Sequence, residues 1–172
     1  MKWFGNVVVL AIVSVLSVVV VGYPSGAGNS SCKDLQPGHP SSNEINESIF
    51  LLVNPGQGNS MEVTIKPQNA SVTFKGFLLR VIMDEPAQGK FNPDSTSQYH
   101  SLCTNETMSA VTHSNSIDKP SVTVKFDVTQ SGQFTFEATV VFTYNQHVSG
   151  LITITRAELP QNPTQPIQIS YL

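Results

Sequence analysis

The chain has 172 residues, a formal net charge of −3, two cysteines, and only 12% charged against 40% hydrophobic residues. That is enough for one domain with a real core. The mild acidity weighs against a nucleic-acid binder, whose affinity comes from many phosphate-neutralising cations, and against a membrane-lytic peptide built on a cationic amphipathic helix.

The first element reads as a leader. Met1-Lys2-Trp3-Phe4-Gly5-Asn6 carries one basic residue, and an apolar run from Val7 to Val21 follows, broken only by Ser14 and Ser17. Val20-Val21-Gly22 then offers the slim residues that a signal peptidase reads, so residues 1–22 are expected to be a secretory signal peptide cut after Gly22. A retained membrane anchor is the rival reading, but the run falls short of the ~20 residues that cross a bilayer. No later segment is long and apolar enough to span, and the C-terminus lacks a lipid-anchor signal. The product is expected to be secreted and extracellular, with one domain over residues 23–158 and a Pro-rich tail over 159–172. Losing Lys2 lowers the 9 Lys and Arg to 8, against 12 Asp and Glu.

From Tyr23 to Asn43 the composition is that of an irregular arm. Ile49 to Val53 is a short strand ended by the turn signal Asn54-Pro55-Gly56. Met61 to Lys66 alternates apolar and polar, as a strand with one wet face does. Val72 to Met83 is the longest apolar run of the mature part. At period two, Val72, Phe74, Leu78 and Ile82 share one face and Phe77, Leu79, Val81 and Met83 the other, which predicts a central strand covered on both sides. Gly76 marks a bend or a place where a side chain would crowd a neighbour. The long stretch Asp84 to Ser97 is either functional or carries short structure of its own. Tyr99 to Cys103 and Met108 to Thr112 are weaker strands. Ser121 to Val128 and Phe134 to Thr143 alternate strongly across Gln130-Ser131-Gly132 and are expected to form a β-hairpin. Leu151 to Thr155 is the last strand, and the tail from Leu159 is expected to be frayed or extended. Seven or eight strands without an amphipathic helix predict an all-β, two-sheet sandwich.

Cys32 and Cys103 both lie in the exported part, where an isolated pair is most often a disulfide. Free thiols or a metal pair are the alternatives; there is no CxxC and no clustered His. Asn29, Asn46, Asn69 and Asn105 head glycosylation sequons, whereas Asn162 is excluded by Pro163. No nucleophile elbow, phosphate loop, HExxH or calcium loop is present. His39, His100, His113 and His147 are far apart. His39 and His113 could meet if a disulfide drew the arm toward residue 103, but hydrogen-bonded loop anchors are the better reading than a metal site. Adjacent Asp84 and Glu85 read as solvated turn residues rather than a catalytic pair. No enzyme activity and no cofactor are expected.

Several fragments together resemble a known family. They are Tyr23-Pro24-Ser25-Gly26-Ala27, Ser31-Cys32, Pro37-Gly38-His39, Phe74-Lys75-Gly76-Phe77-Leu78-Leu79-Arg80, Gly89-Lys90-Phe91, Leu102-Cys103, Val111-Thr112-His113 and Phe136-Glu137-Ala138-Thr139-Val140-Val141. From Tyr23 to Arg156 the chain is similar to a reeler domain, the module at the N-terminus of reelin and F-spondin and nearly the whole of small secreted insect-type defence proteins. Members often carry a Trp where this chain has Lys125-Phe126-Asp127. The resemblance implies an immunoglobulin-like antiparallel β-sandwich with Cys32 bonded to Cys103. It also implies a secreted innate-immune defence protein, antimicrobial or binding a microbial surface component or extracellular glycan. The alternative is an extracellular-matrix or adhesion module binding glycosaminoglycan or a receptor, for which Lys66, Lys75, Arg80, Lys90 and Lys125 are the available cations.

Overall fold

The computed structural model describes residues 24–38, 43–45, 47–93, 98–105, 107–162 and 165–172. The expected signal peptide, His39 and Asn46 lie outside the described residues. A 3-10 turn, Asn29–Cys32, sits in the arm. Eleven strands follow among the described residues: β1 (Asn43–Glu44), β2 (Ile49–Pro55), β3 (Ser60–Pro67), β4 (Gly76–Met83), β5 (Gly89–Phe91), β6 (Tyr99–Asn105), β7 (Met108–His113), β8 (Val122–Val128), β9 (Gly132–Thr143), β10 (Gln146–Glu158) and β11 (Gln168–Tyr171).

They form two sheets, which is the sandwich the alternation predicts. The larger has the order β1-β10-β9-β4-β7-β6, with β11 also on β10, and the smaller has the order β2-β3-β8-β5. Every pairing is antiparallel except that of β1 with β10. Inward side chains of both sheets share one core: Met61, Val63 and Ile65 of β3, Val124 and Phe126 of β8, Phe77, Leu79 and Val81 of β4, and Phe134, Phe136, Ala138 and Val140 of β9 are all buried. At its centre the Phe126 ring meets Phe91, Phe134 and Phe136 edge-on, with centroids 5.2, 5.4 and 5.5 Å away. Such contacts add to the area the rings bury.

β4 is central, between β9 and β7, and Leu78 on its outer face is covered as expected. Two details of that run differ from the period-two reading. The strand begins at Gly76, and Phe74 lies in the sandwich core rather than beside Leu78, held outside the strand by a bridge to Lys119. The chain changes face between Phe74 and Phe77, so an unbroken alternation misplaces the first half. Ile82 is exposed.

The expected hairpin of Ser121–Val128 with Phe134–Thr143 does not form. β8 belongs to the smaller sheet and β9 to the larger, and residues 129–131 arch between them. Alternation reports which face is buried but not which strand lies alongside; two strands facing each other across a core read the same as a hairpin pair. The arch is pinned by Gln88, whose carbonyl accepts from Thr129 N (2.7 Å) and Gln130 N (3.2 Å). The true hairpin joins β9 to β10 through Tyr144-Asn145, so the last predicted strand is much longer than expected. The tail is extended rather than frayed: β11 pairs with β10 and Ile167 is buried. The long stretch after β4 carries short structure of its own, β5 on the edge of the smaller sheet.

Phe126→Ala removes the ring that three others pack against. It is expected to cost about 3–5 kcal/mol of stability, read as a lower urea midpoint at unchanged slope.

Candidate functional site

Residues 24–38 cross the outer face of the larger sheet, and specific contacts hold them there. Gly26 (φ 117°) lies so close to β7 that an added Cβ would fall 2.4 Å from the His113 carbonyl oxygen, a conformation and an approach that only glycine accommodates. Next to it, Ala27 N donates to Thr112 Oγ1 (2.9 Å), which donates to the Phe77 carbonyl (2.8 Å). Leu35 buries its side chain against Leu78 and Ala110, although its φ of 57° is unfavourable for a leucine.

Cys32 and Cys103 are bonded, with Cα atoms 6.0 Å apart. Cys103 sits where the register of β6 on β7 slips between Leu102 and Asn105, and such a bulge re-aims a side chain. Arg80 of β4 supplies a second tie. Its Nη1 donates to the carbonyls of Cys32 (2.6 Å) and Lys33 (3.0 Å), while Nε (2.9 Å) and Nη2 engage the Glu137 carboxylate on β9. Both side chains are largely buried.

Beneath the arm lies a cavity of about 330 Å³. Gly76 and Leu78 of β4 with Thr139 and Val141 of β9 make its floor, Ala27, Leu35 and Pro37 its arm side, and Lys75, Ser116 and Tyr144 belong to its edge. Among the described residues no Asp or Glu lines it. Gly76 is required beside it, because an added Cβ would meet the His113 ring at 2.7 Å. The loop carrying Ser116 is held from within by Lys119, which is 1% exposed. Its ammonium donates to the carbonyls of Ile117 (2.7 Å), Asn115 (2.8 Å) and Lys75 (3.1 Å) and to Asn115 Oδ1 (3.2 Å). Burial lowers its pKa, opposed by the Asp118 charge.

The residues singled out from sequence do not gather into one centre. Asn29, Asn69 and Asn105 are exposed, and the last two also accept backbone N–H bonds from Ser71 and Thr107. His113 ends β7 instead of anchoring a loop, and Phe77 N donates to its Nδ1 (3.2 Å). His100 Nδ1 pairs with Ser114 Oγ. His147 is buried, and its Nδ1 has no partner among the described residues. No group of three metal-ligating side chains occurs among the described residues, and Asp84 and Glu85 are exposed. The sequence reading missed the Arg80–Glu137 pair, Lys119 and Thr139. Arg80 did carry a signal, the one charged residue of β4.

A family model for the Reeler domain matches residues 30–158. The chain belongs to the Reeler domain family. Reeler relatives include "Putative defense protein 3" of Antheraea mylitta, 31% identical over 143 residues, which are 79% of this chain and 86% of the relative. "Putative defense protein 2" of the same moth is 30% identical over 72% of this chain and 83% of its own. Two solved structures share the fold. The human F-spondin reeler domain has a TM-score of 0.51 at 17% identity over 72% of this chain and 97% of its own. The Reelin-N domain of F-spondin has 0.50 at 19% identity over 73% and 94%. No helix among the described residues is long and apolar enough to cross a membrane.

Replacing both Cys32 and Cys103 by Ser releases a closure spanning 71 residues. About 4 kcal/mol of stability should go with it on the chain-entropy model, measured by chemical unfolding of the double variant against the oxidised parent.

Proposed function

We propose that this reeler chain is a secreted innate-immune defence protein that binds a microbial surface component rather than catalysing a reaction. The likeness to relatives named as defence proteins carries the reading, because it runs through most of both chains. The Cys32–Cys103 bond suits an oxidising compartment. Exposed Asn29, Asn69 and Asn105 suit glycosylation on the way out of the cell.

If the protein is antimicrobial, its charge argues against simple attraction to anionic membranes. It is acidic overall, and its cations are dispersed. Arg80 is committed to Glu137, and Lys125 pairs with Asp127 at 3.1 Å. In the register Lys125 also faces Glu62, and Lys90 faces Asp127. The same interleaving disfavours the matrix reading, since a sulfated glycan needs a patch of one sign.

The glycosylated protein, incubated with insoluble bacterial wall polymers, is expected to sediment with them and to pass through a heparin column at physiological salt. Its transcript should rise after microbial challenge. Retention on heparin with no wall binding and no induction would replace this reading with the matrix one.

A further inference from the structure

The cavity under the arm contains a polar group the fold does not use. Thr139 is 2% exposed and lines the floor, yet its Oγ1 has no hydrogen-bond partner among the described residues. A buried hydroxyl left unpaired is unfavourable and calls for an explanation. At the edge stands Lys75, exposed and absent from the ion pairs among the described residues. Its backbone N–H bonds the Val141 carbonyl, and the strand register then runs Gly76 with Val141 and Leu78 with Thr139. Lys75 stands one residue before the first of those pairs and three before Leu78, a backbone separation of about 10 Å from the Thr139 position. Ala27, Leu35, Pro37, Leu78 and Val141 give the cavity a mostly apolar exposed lining, to which Gln36, His113, Ser116, Thr143 and Tyr144 also contribute.

We propose that this cavity binds a medium-chain aliphatic acid carrying a second oxygen function, hydroxyl or carbonyl, toward the far end of its chain. The carboxylate sits at Lys75, the methylenes lie against the aliphatic side chains, and the distal oxygen pairs with Thr139 Oγ1. A volume of about 330 Å³ is at the small end for ligand sites. A sugar would set its hydroxyls against a lining whose exposed surface is mostly apolar. A phosphate would present more charge than one lysine meets, and among the described residues no carboxylate lines the cavity to oppose an anionic head. The inference stands on the cavity and not on the defence reading; a chain that ignores bacterial walls but binds the acid leaves it intact.

Calorimetric titration of the full secreted chain with decanoate, ω-hydroxydecanoate and decanol tests the proposal. The hydroxy acid should bind about five- to tenfold more tightly than decanoate, the worth of one added hydrogen bond. Thr139→Val should erase that advantage while leaving decanoate unaffected, with a melting temperature unchanged or raised because it removes an unpaired hydroxyl. Lys75→Gln should weaken both acids and spare the alcohol. Val141→Phe, which puts a ring into the cavity, should abolish all binding, its fold checked by circular dichroism. Equal affinity for the two acids, discrimination that persists in Thr139→Val, or no binding at all would overturn it.

Discussion

The guanidinium of Arg80 ties the arm to two paired strands of the larger sheet. It stands on the outer face of the central strand, bonded along one edge to Glu137 on the adjacent strand and along the other to the carbonyls that end the 3-10 turn of the arm. Carbonyls at the end of such a turn have no partner within it, and a planar fork of donors can satisfy two of them while keeping a carboxylate. Lysine, with a single ammonium, could not span both edges. Because the side chain is largely buried, solvent screens these contacts less than it would a surface pair. The arm buries few apolar side chains of its own, chiefly Leu35, so without this clasp and the disulfide little apolar surface would hold it down.

The cavity is a consequence of how the arm is held. Gly26 brings the arm into van der Waals contact with β7 at one end, and Arg80 and Cys32 fix it further along. Under the tethered arm the sheet offers Gly76, Thr139 and Val141 beside Leu78, and these mostly small outward residues leave space beneath the cover. Lys119 completes the arrangement from the side, trading the cost of burying an ammonium for four oxygen acceptors that hold the neighbouring loop.

How much of this could be read in advance follows from what each signal measures. Alternation gave the inward set of β3, β8 and β9 correctly, because burial on one face is what produces it. It could not tell that residues 129–131 cross from one sheet to the other, since an arch and a hairpin bury the same residues. It failed at Phe74, where the chain changes face before Gly76. It also undervalued the tail, because β11 is held mainly by pairing with β10, with Ile167 buried in the core and Leu159 and Ile169 packed against it. Two cysteines left little choice of pairing. The site was not legible: its parts come from residues 24–38, 75–78, 113–116 and 139–144, and no local pattern reports that the topology brings them together. Thr139 was visible only as one more polar residue on an alternating strand.

The distribution of charge then limits what recognition can rest on. Across the outer face of the smaller sheet, Lys125 lies opposite Glu62 and bonds Asp127, and Lys90 lies opposite Asp127. On β10, Arg156 pairs with Glu158. Interleaved charges of both signs cancel within a Debye length of about 8 Å at physiological salt, so they neither steer a polyanion nor hold one. A binding module so constituted must gain its affinity from apolar contact and from a few placed hydrogen bonds. Of the described surface, the depression under the arm is where such contacts converge: aliphatic sides, one unpaired hydroxyl on the floor and one cation at the edge. The clasp that secures the arm is therefore also what gives the domain a concave surface.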